Sequence, residues 1–363
     1  MIRREDFEIM APVGSWESLA AAFSAGADAV YFGIEGLNMR SRSSANFTMD
    51  DMDEIVKQCN EHGVKSYLTV NTVVYDNDVE LLHNIIDRAK QAGISAIISA
   101  DMAAILYARQ IDQEVHISTQ VNVANADAVR FYSQFADVMV LARELNMDQV
   151  KGITDKIREE NITGPYGEPI RIEMFCHGAL CMAVSGKCYL SLHQLGRSAN
   201  RGQCMQVCRR GYIVKDRESD IELEVDNKYI MSPKDLKTIR FIDRMMKSGV
   251  RVMKIEGRAR GPEYVYTVVK AFSELDLNPA TYDSIKMGYI FENLIGRFYQ
   301  NVDAGQYYTG RDIIKCLVSI LTAEGCDDIF DDKKILTVCD QACGTGGMLS
   351  TAYTYLKHYN PTA

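Results

Sequence analysis

The chain has 363 residues, of which 47% are hydrophobic, and a net charge of −9. That length exceeds one ordinary domain, although a single α/β barrel can use most of it. No apolar run is long enough to span a bilayer, the opening MIRREDFEIM lacks the apolar core of a secretory signal, and the acidic balance argues against nonspecific nucleic-acid binding by the whole surface while leaving room for a local basic patch.

Short β-rich apolar runs occupy 8–11, 29–33, 65–70, 96–99, 115–119, 138–142, 170–175 and 251–255. Helical patterns lie between them at 16–25, 49–62, 78–92, 102–111, 124–134 and 147–160. Eight such repeats predict an α/β fold, a TIM-like (β/α)8 barrel of parallel strands. An open doubly wound sheet is the alternative, and the absence of a glycine-rich dinucleotide loop after the first strand tilts towards the barrel. Barrel active sites form at the C-terminal ends of the strands. Those ends carry Pro12 and six polar or charged residues, which are the candidate catalytic set: Asn71, Gln120, Arg143, His177, Glu256 and Arg258.

The interval 178–250, after the seventh strand, is too long for an ordinary connection and reads as a functional insertion. Five of the ten cysteines gather around its start, in EMFCHGALCMAVSGKCYLS and NRGQCMQVCRR, four of them within the interval. In a chain without an export signal, cysteines favour metal or catalysis in a reducing, cytoplasmic setting over disulfides. Cys181, Cys188, Cys204 and Cys208 could hold a 4Fe–4S cluster or a zinc ion. Their spacing is not that of a zinc finger, so a cluster is the first choice, with structural zinc or simple packing as alternatives. A basic run follows, with Arg197, Arg201, Arg209 and Arg210 as candidate contacts to RNA phosphates; a solvated loop is the plainer alternative. Residues 232–249 read as a helix with Ser232 as N-cap and Pro233 at its first position. A peptidase with Cys181 or Cys188 as nucleophile and His177 as base is weaker on chemistry. His177 would have to bend back through Gly178 to reach Cys181.

The pattern E-x-F-x-x-G-A-L-C-x-x-x-x-G-x-C-x-x-S, from Glu173 to Ser191, resembles the signature of the collagenase-like peptidase family U32. The likeness runs over 1–273. It implies an iron–sulfur protein of RNA hydroxylation, making 5-hydroxyuridine at the tRNA wobble position with prephenate, or a peptidase as the family name says. Members use four cysteines for a cluster but differ in which four. Cys176 stands at a variable position of the signature and stays outside the set.

After a linker at 274–283 the sequence changes character. A helical stretch is followed by KKILTVCDQACGTGGMLSTAYTYLKHY, which reads as strand, glycine-rich turn and helix, an incomplete Rossmann-like start. MGYIFENLI at 287–295, AGQYYTGRD at 304–312 and DQACGTGG at 340–347 resemble the modification subunit of type I restriction systems. That family methylates DNA adenine with S-adenosylmethionine. The resemblance implies Tyr308, Thr309, Asp340, Ala342, Gly344 and Gly346 as cofactor contacts. Gly310 and Gln341 replace prolines usual in that family, and its N-P-P-[YF] motif does not occur. Residues 284–363 are therefore expected to be a vestigial methyltransferase piece, inactive, binding S-adenosylmethionine only if it folds. No DNA or membrane partner is expected.

Overall fold

The computed structural model describes residues 4–39, 47–226 and 229–274. The expected contacts Tyr308, Thr309, Asp340, Ala342, Gly344 and Gly346 lie outside the described residues.

Among the described residues eleven strands run in chain order: β1 Glu8–Pro12, β2 Ala29–Phe32, β3 Lys65–Val70, β4 Ala96–Ser99, β5 Val115–Ile117, β6 Val138–Val140, β7 Arg171–Gly178, β8 Tyr212–Lys215, β9 Glu222–Val225, β10 Leu236–Lys237 and β11 Val250–Ile255. Strands β1 to β7 pair in sequence, and β11 sits between β7 and β1. All eight are parallel, and the pairing of β11 with both β7 and β1 closes the barrel. The sequence favours this because most of the runs are mainly apolar rather than strictly alternating. Both β2 and β4 are buried at every residue, as a strand covered on two faces must be.

The helices are α1 Trp16–Ser24, α2 Met52–Glu61, α3 Val79–Ala92, α4 Met102–Gln110, α5 Ala126–Tyr132, α6 Met147–Glu159, α7 Leu190–Leu195, α8 Ile242–Lys247 and α9 Pro262–Ser273. Their starts are written in capping residues. The side chains of Ser15, Asp101, Asn125 and Asn146 each accept from a backbone amide in the first turn. Helix α3 buries Leu82, Ile85, Ile86 and Ala89, the one-face spacing of an amphipathic helix. Among the described residues, no helix is long and apolar enough to cross a membrane.

Met10, Tyr31, Tyr67, Ile98, Val138 and Val252, with Ala29 and Ala96, form one buried cluster, large residues interleaved with small ones. At the N-terminal end Glu8 is ringed by Lys65 at 2.9 Å, the Tyr67 hydroxyl at 2.8 Å and Arg171 at 3.3 Å.

One expected element is corrected. Residues 232–249 are not a single helix, and Ser232 caps nothing; its hydroxyl donates to the carbonyl of Pro233 at 3.0 Å. Strand β10 forms instead, antiparallel to β7, with Leu236 opposite Gly178 and Lys237 opposite His177. The end of β7 needs backbone partners there, and the amide of Thr238 donates to the carbonyl of Cys176 at 3.1 Å. Only Ile242–Lys247 remains α-helical, after a 3-10 turn at Ile239–Phe241.

Candidate functional site

The C-terminal ends of the strands deliver their polar residues to one mouth. Asn71 follows β3 and sits at the centre of a small polar net. Its Oδ1 accepts from the amide of Met39 at 3.1 Å, while Nδ2 donates to Ser118 Oγ at 3.3 Å and Gln120 Oε1 at 3.4 Å. Gln120 is held in a 3-10 turn, Thr119–Val121, directly after β5.

The opposite side of the mouth is cationic and aromatic. The Arg143 guanidinium lies 4.1 Å from the centroid of the Phe175 ring. Lys254, on β11, is buried and donates to Glu173 Oε1 on β7 at 2.6 Å. Its ammonium is also 4.6 Å from the centroid of Tyr31. Burial pulls the Lys254 pKa below its ordinary value, against the opposing pull of the Glu173 carboxylate. Arg258 donates to Thr69 Oγ1 at 2.7 Å and Asn38 Oδ1 at 3.3 Å.

Asn71, Gln120, Arg143, Glu256 and Arg258 line a single cavity of about 160 Å³, and so do Cys181, Cys188, Cys204 and Cys208. The structure thus brings together five of the six residues expected at the mouth and all four cysteines. His177 is the exception. It does not line the cavity and is buried near the rings of Tyr264 and Phe272, with centroids 6.0 and 6.3 Å away. The cause is an irregularity in the pairing of β7 with β11, which passes from Phe175 opposite Lys254 to His177 opposite Ile255. One extra residue resets which face the next side chain takes. Burial, then the nearby Lys237, pushes the His177 pKa down to about 4, so the ring is neutral near pH 7.

The cysteine loops lean on the barrel rim. Gly186 has φ +76°, and a Cβ there would meet Gln120 Cγ at 2.9 Å. All four cysteines are free thiols; Cys181 is exposed and the other three are half-buried. The Cys208 pKa is raised by burial and then by the thiols of Cys204, Cys181 and Cys188. Among the described residues, no three Cys, His, Asp or Glu side chains already surround a common metal position. In number and chemistry the four thiols suit a thiolate-bound cluster or a zinc ion, and all four line one cavity. Cys176 is fully buried, its Sγ 3.4 Å from the carbonyl oxygen of Lys254, and its pKa is raised by burial.

The basic run divides. Arg201 pairs with Asp78 at 2.7 and 3.1 Å and covers the Tyr75 ring; Arg209 pairs with Asp235 at 2.8 Å. Arg197 and Arg210 are exposed. Tyr31, Lys254, Glu173 and Ser118 are site residues that sequence reasoning missed. A legible signal existed for two of them: Lys254 and Glu173 are charges set between apolar neighbours within strand-length runs.

The family model for peptidase family U32 matches residues 14–284, and that for N-6 DNA methylase matches residues 283–362. A Porphyromonas gingivalis protein named collagenase is 62% identical over 308 residues, covering 84% of this chain and 74% of that one. A tRNA hydroxylation protein of Bacillus subtilis is 36% identical over 275 residues, covering 74% of this chain and 62% of its own length. A 23S rRNA 5-hydroxycytidine synthase of Escherichia coli is 34% identical over 269 residues; the chain spans 39% of it. A solved U32 peptidase aligns at a TM-score of 0.44 and 12% identity, covering 69% of this chain and 93% of that one. By its match from residue 14 to residue 284 and its identity with these relatives, the chain belongs to peptidase family U32.

Proposed function

We propose that this chain takes part in hydroxylating a pyrimidine of RNA, such as a tRNA wobble uridine, with a 4Fe–4S cluster held by Cys181, Cys188, Cys204 and Cys208. The observation that supports this most is the shared cavity: the four thiols open onto the same space as the polar and cationic ends of the barrel strands. Relatives named for tRNA hydroxylation and for rRNA 5-hydroxycytidine synthesis support the RNA substrate. A bound cluster would supply one-electron chemistry. The chain's own residues have separable roles. Asn71, Ser118 and Gln120 offer neutral donors and acceptors suited to a base edge. Arg143, Lys254 and Arg258 offer positive charge to an anion, either a backbone phosphate or a small dicarboxylate oxygen donor such as prephenate.

The collagenase name of two relatives keeps peptidase activity as a second hypothesis. The geometry gives it little: among the described residues no histidine lines the cavity, and His177 is buried elsewhere. Anaerobic purification with iron and sulfide analysis separates the two. About four irons per chain are expected, lost in Cys188→Ser, together with 5-hydroxypyrimidine in RNA from cells that make the chain. Iron-free protein, or iron unchanged in Cys188→Ser, overturns the cluster; zinc alone would replace it with a structural zinc site.

A further inference from the structure

The four cysteines come from two separate stretches, 181–188 and 204–208, and two hydrogen bonds stitch those stretches together. Arg209, next to Cys208, donates through Nη2 to the carbonyl of Leu180, next to Cys181, at 3.2 Å. Ser191, three residues past Cys188, accepts at Oγ from the amide of Met205, next to Cys204, at 3.1 Å. Each bond therefore ties one member of the first cysteine pair to one of the second.

Both ties are anchored. Arg209 Nη1 donates to Asp235 Oδ1 at 2.8 Å, and Asp235 Oδ2 accepts from Arg260 at 3.1 Å. Asp235 immediately precedes β10, whose pairing with β7 fixes it to the barrel wall. Ser191 is 2% exposed, so its hydroxyl is not shared with bulk water. Between the ties, Gln206 turns the chain with φ +51°, a left-handed conformation that non-glycine residues rarely adopt. That turn leads into the 3-10 segment Val207–Arg209, which carries Cys208.

We propose that Arg209 and Ser191 are positioning residues that gather the two cysteine pairs at one cavity before any metal enters. The proposal rests on the ligand assignment made above. It also gives Arg209 a role other than phosphate contact: its guanidinium is spent on Asp235 and Leu180. Gathering the pairs in advance removes loop-ordering entropy from the binding step.

The test is anaerobic titration of the metal-free full-length chain with Co2+, read by thiolate-to-cobalt absorbance. Ser191→Ala and Arg209→Gln should each weaken binding by about tenfold or more, the usual effect of removing a group that orients metal ligands. Arg209→Lys, which can keep the Asp235 contact, should recover part of the loss. Arg88→Gln, which breaks an exposed ion pair to Asp53, should match the wild type. Circular dichroism melting establishes which variants fold, and Ser191→Ala suffices if Arg209→Gln does not. Wild-type cobalt affinity in folded Ser191→Ala and Arg209→Gln overturns the proposal. A wild-type chain that shows no thiolate–cobalt band overturns the ligand assignment itself, and the proposal with it. A fall of about 0.7 in the salt slope of single-stranded RNA binding in Arg209→Gln would assign Arg209 to phosphate instead and also overturn it.

Discussion

At the residue scale, the Lys254–Glu173 contact is a buried ion pair at the mouth. Both side chains are almost fully removed from water, and Glu173 Oε2 has no hydrogen-bond partner among the described residues. Removing one partner strands the other charge. Lys254→Met should therefore lose about 3–5 kcal/mol of stability, measured by denaturant unfolding, and Lys254→Met with Glu173→Leu should regain most of it. A single variant as stable as the wild type would show that the contact between Lys254 and Glu173 does not carry that energy. Gly178 is another constrained position: its φ is +107°, and a Cβ would come within 2.4 Å of the Glu256 carbonyl oxygen. Gly178→Ala should displace the Glu256 loop and cost about 1–3 kcal/mol, visible as a lower melting temperature. An unchanged melt would count against that close approach.

At the element scale, the floor of the barrel predicts an acid-sensitive sheet. Burial alone would raise the Glu8 pKa, but Lys65, Arg171 and the Tyr67 hydroxyl outweigh it and hold the carboxyl below its ordinary 4.5. A carboxyl with a depressed folded pKa adds stability that is complete above the unfolded value and drains as pH falls through the folded one. Stability should therefore decline as the pH drops below about 4.5, and Glu8→Gln should flatten that limb while lowering stability at pH 7. Chemical denaturation at stepped pH checks both, and an unaltered acid limb in Glu8→Gln would remove Glu8 as its cause. The same strands were legible in the sequence because a parallel barrel needs runs apolar on both faces. The eight runs and the observed strands agree within a few residues. β10 was not legible, since two residues carry no period, and only the backbone demand of β7 makes them a strand.

At the scale of the whole molecule, an acidic chain carries a cationic cavity and a divided basic loop. Arg201 and Arg209 are committed to internal ion pairs, which leaves Arg197 and Arg210 as the exposed residues among the four candidate arginines. If RNA is the substrate, Arg197→Ala with Arg210→Ala should lower the salt slope of single-stranded RNA binding by about 1.4, roughly 0.7 for each lost phosphate contact. Fluorescence anisotropy at several salt concentrations measures this, and an unchanged slope would move the RNA path off that loop.

The sequence by itself determined the barrel, the place of the insertion and the chemistry gathered in it. These are local matters: an apolar run is read from adjacent residues, and so is cysteine spacing beside glycine. The same local reading named Asn71, Gln120, Arg143, Glu256 and Arg258, because a strand end is visible where an apolar run stops. Tertiary structure alone decided which of those side chains share a space. A one-residue irregularity in β7 removed His177 from the cavity, and no pattern in FCHG marks it. Likewise Asp78 and Asp235 claimed two arginines from far along the chain, because ion pairing depends on proximity in space and not on order in sequence.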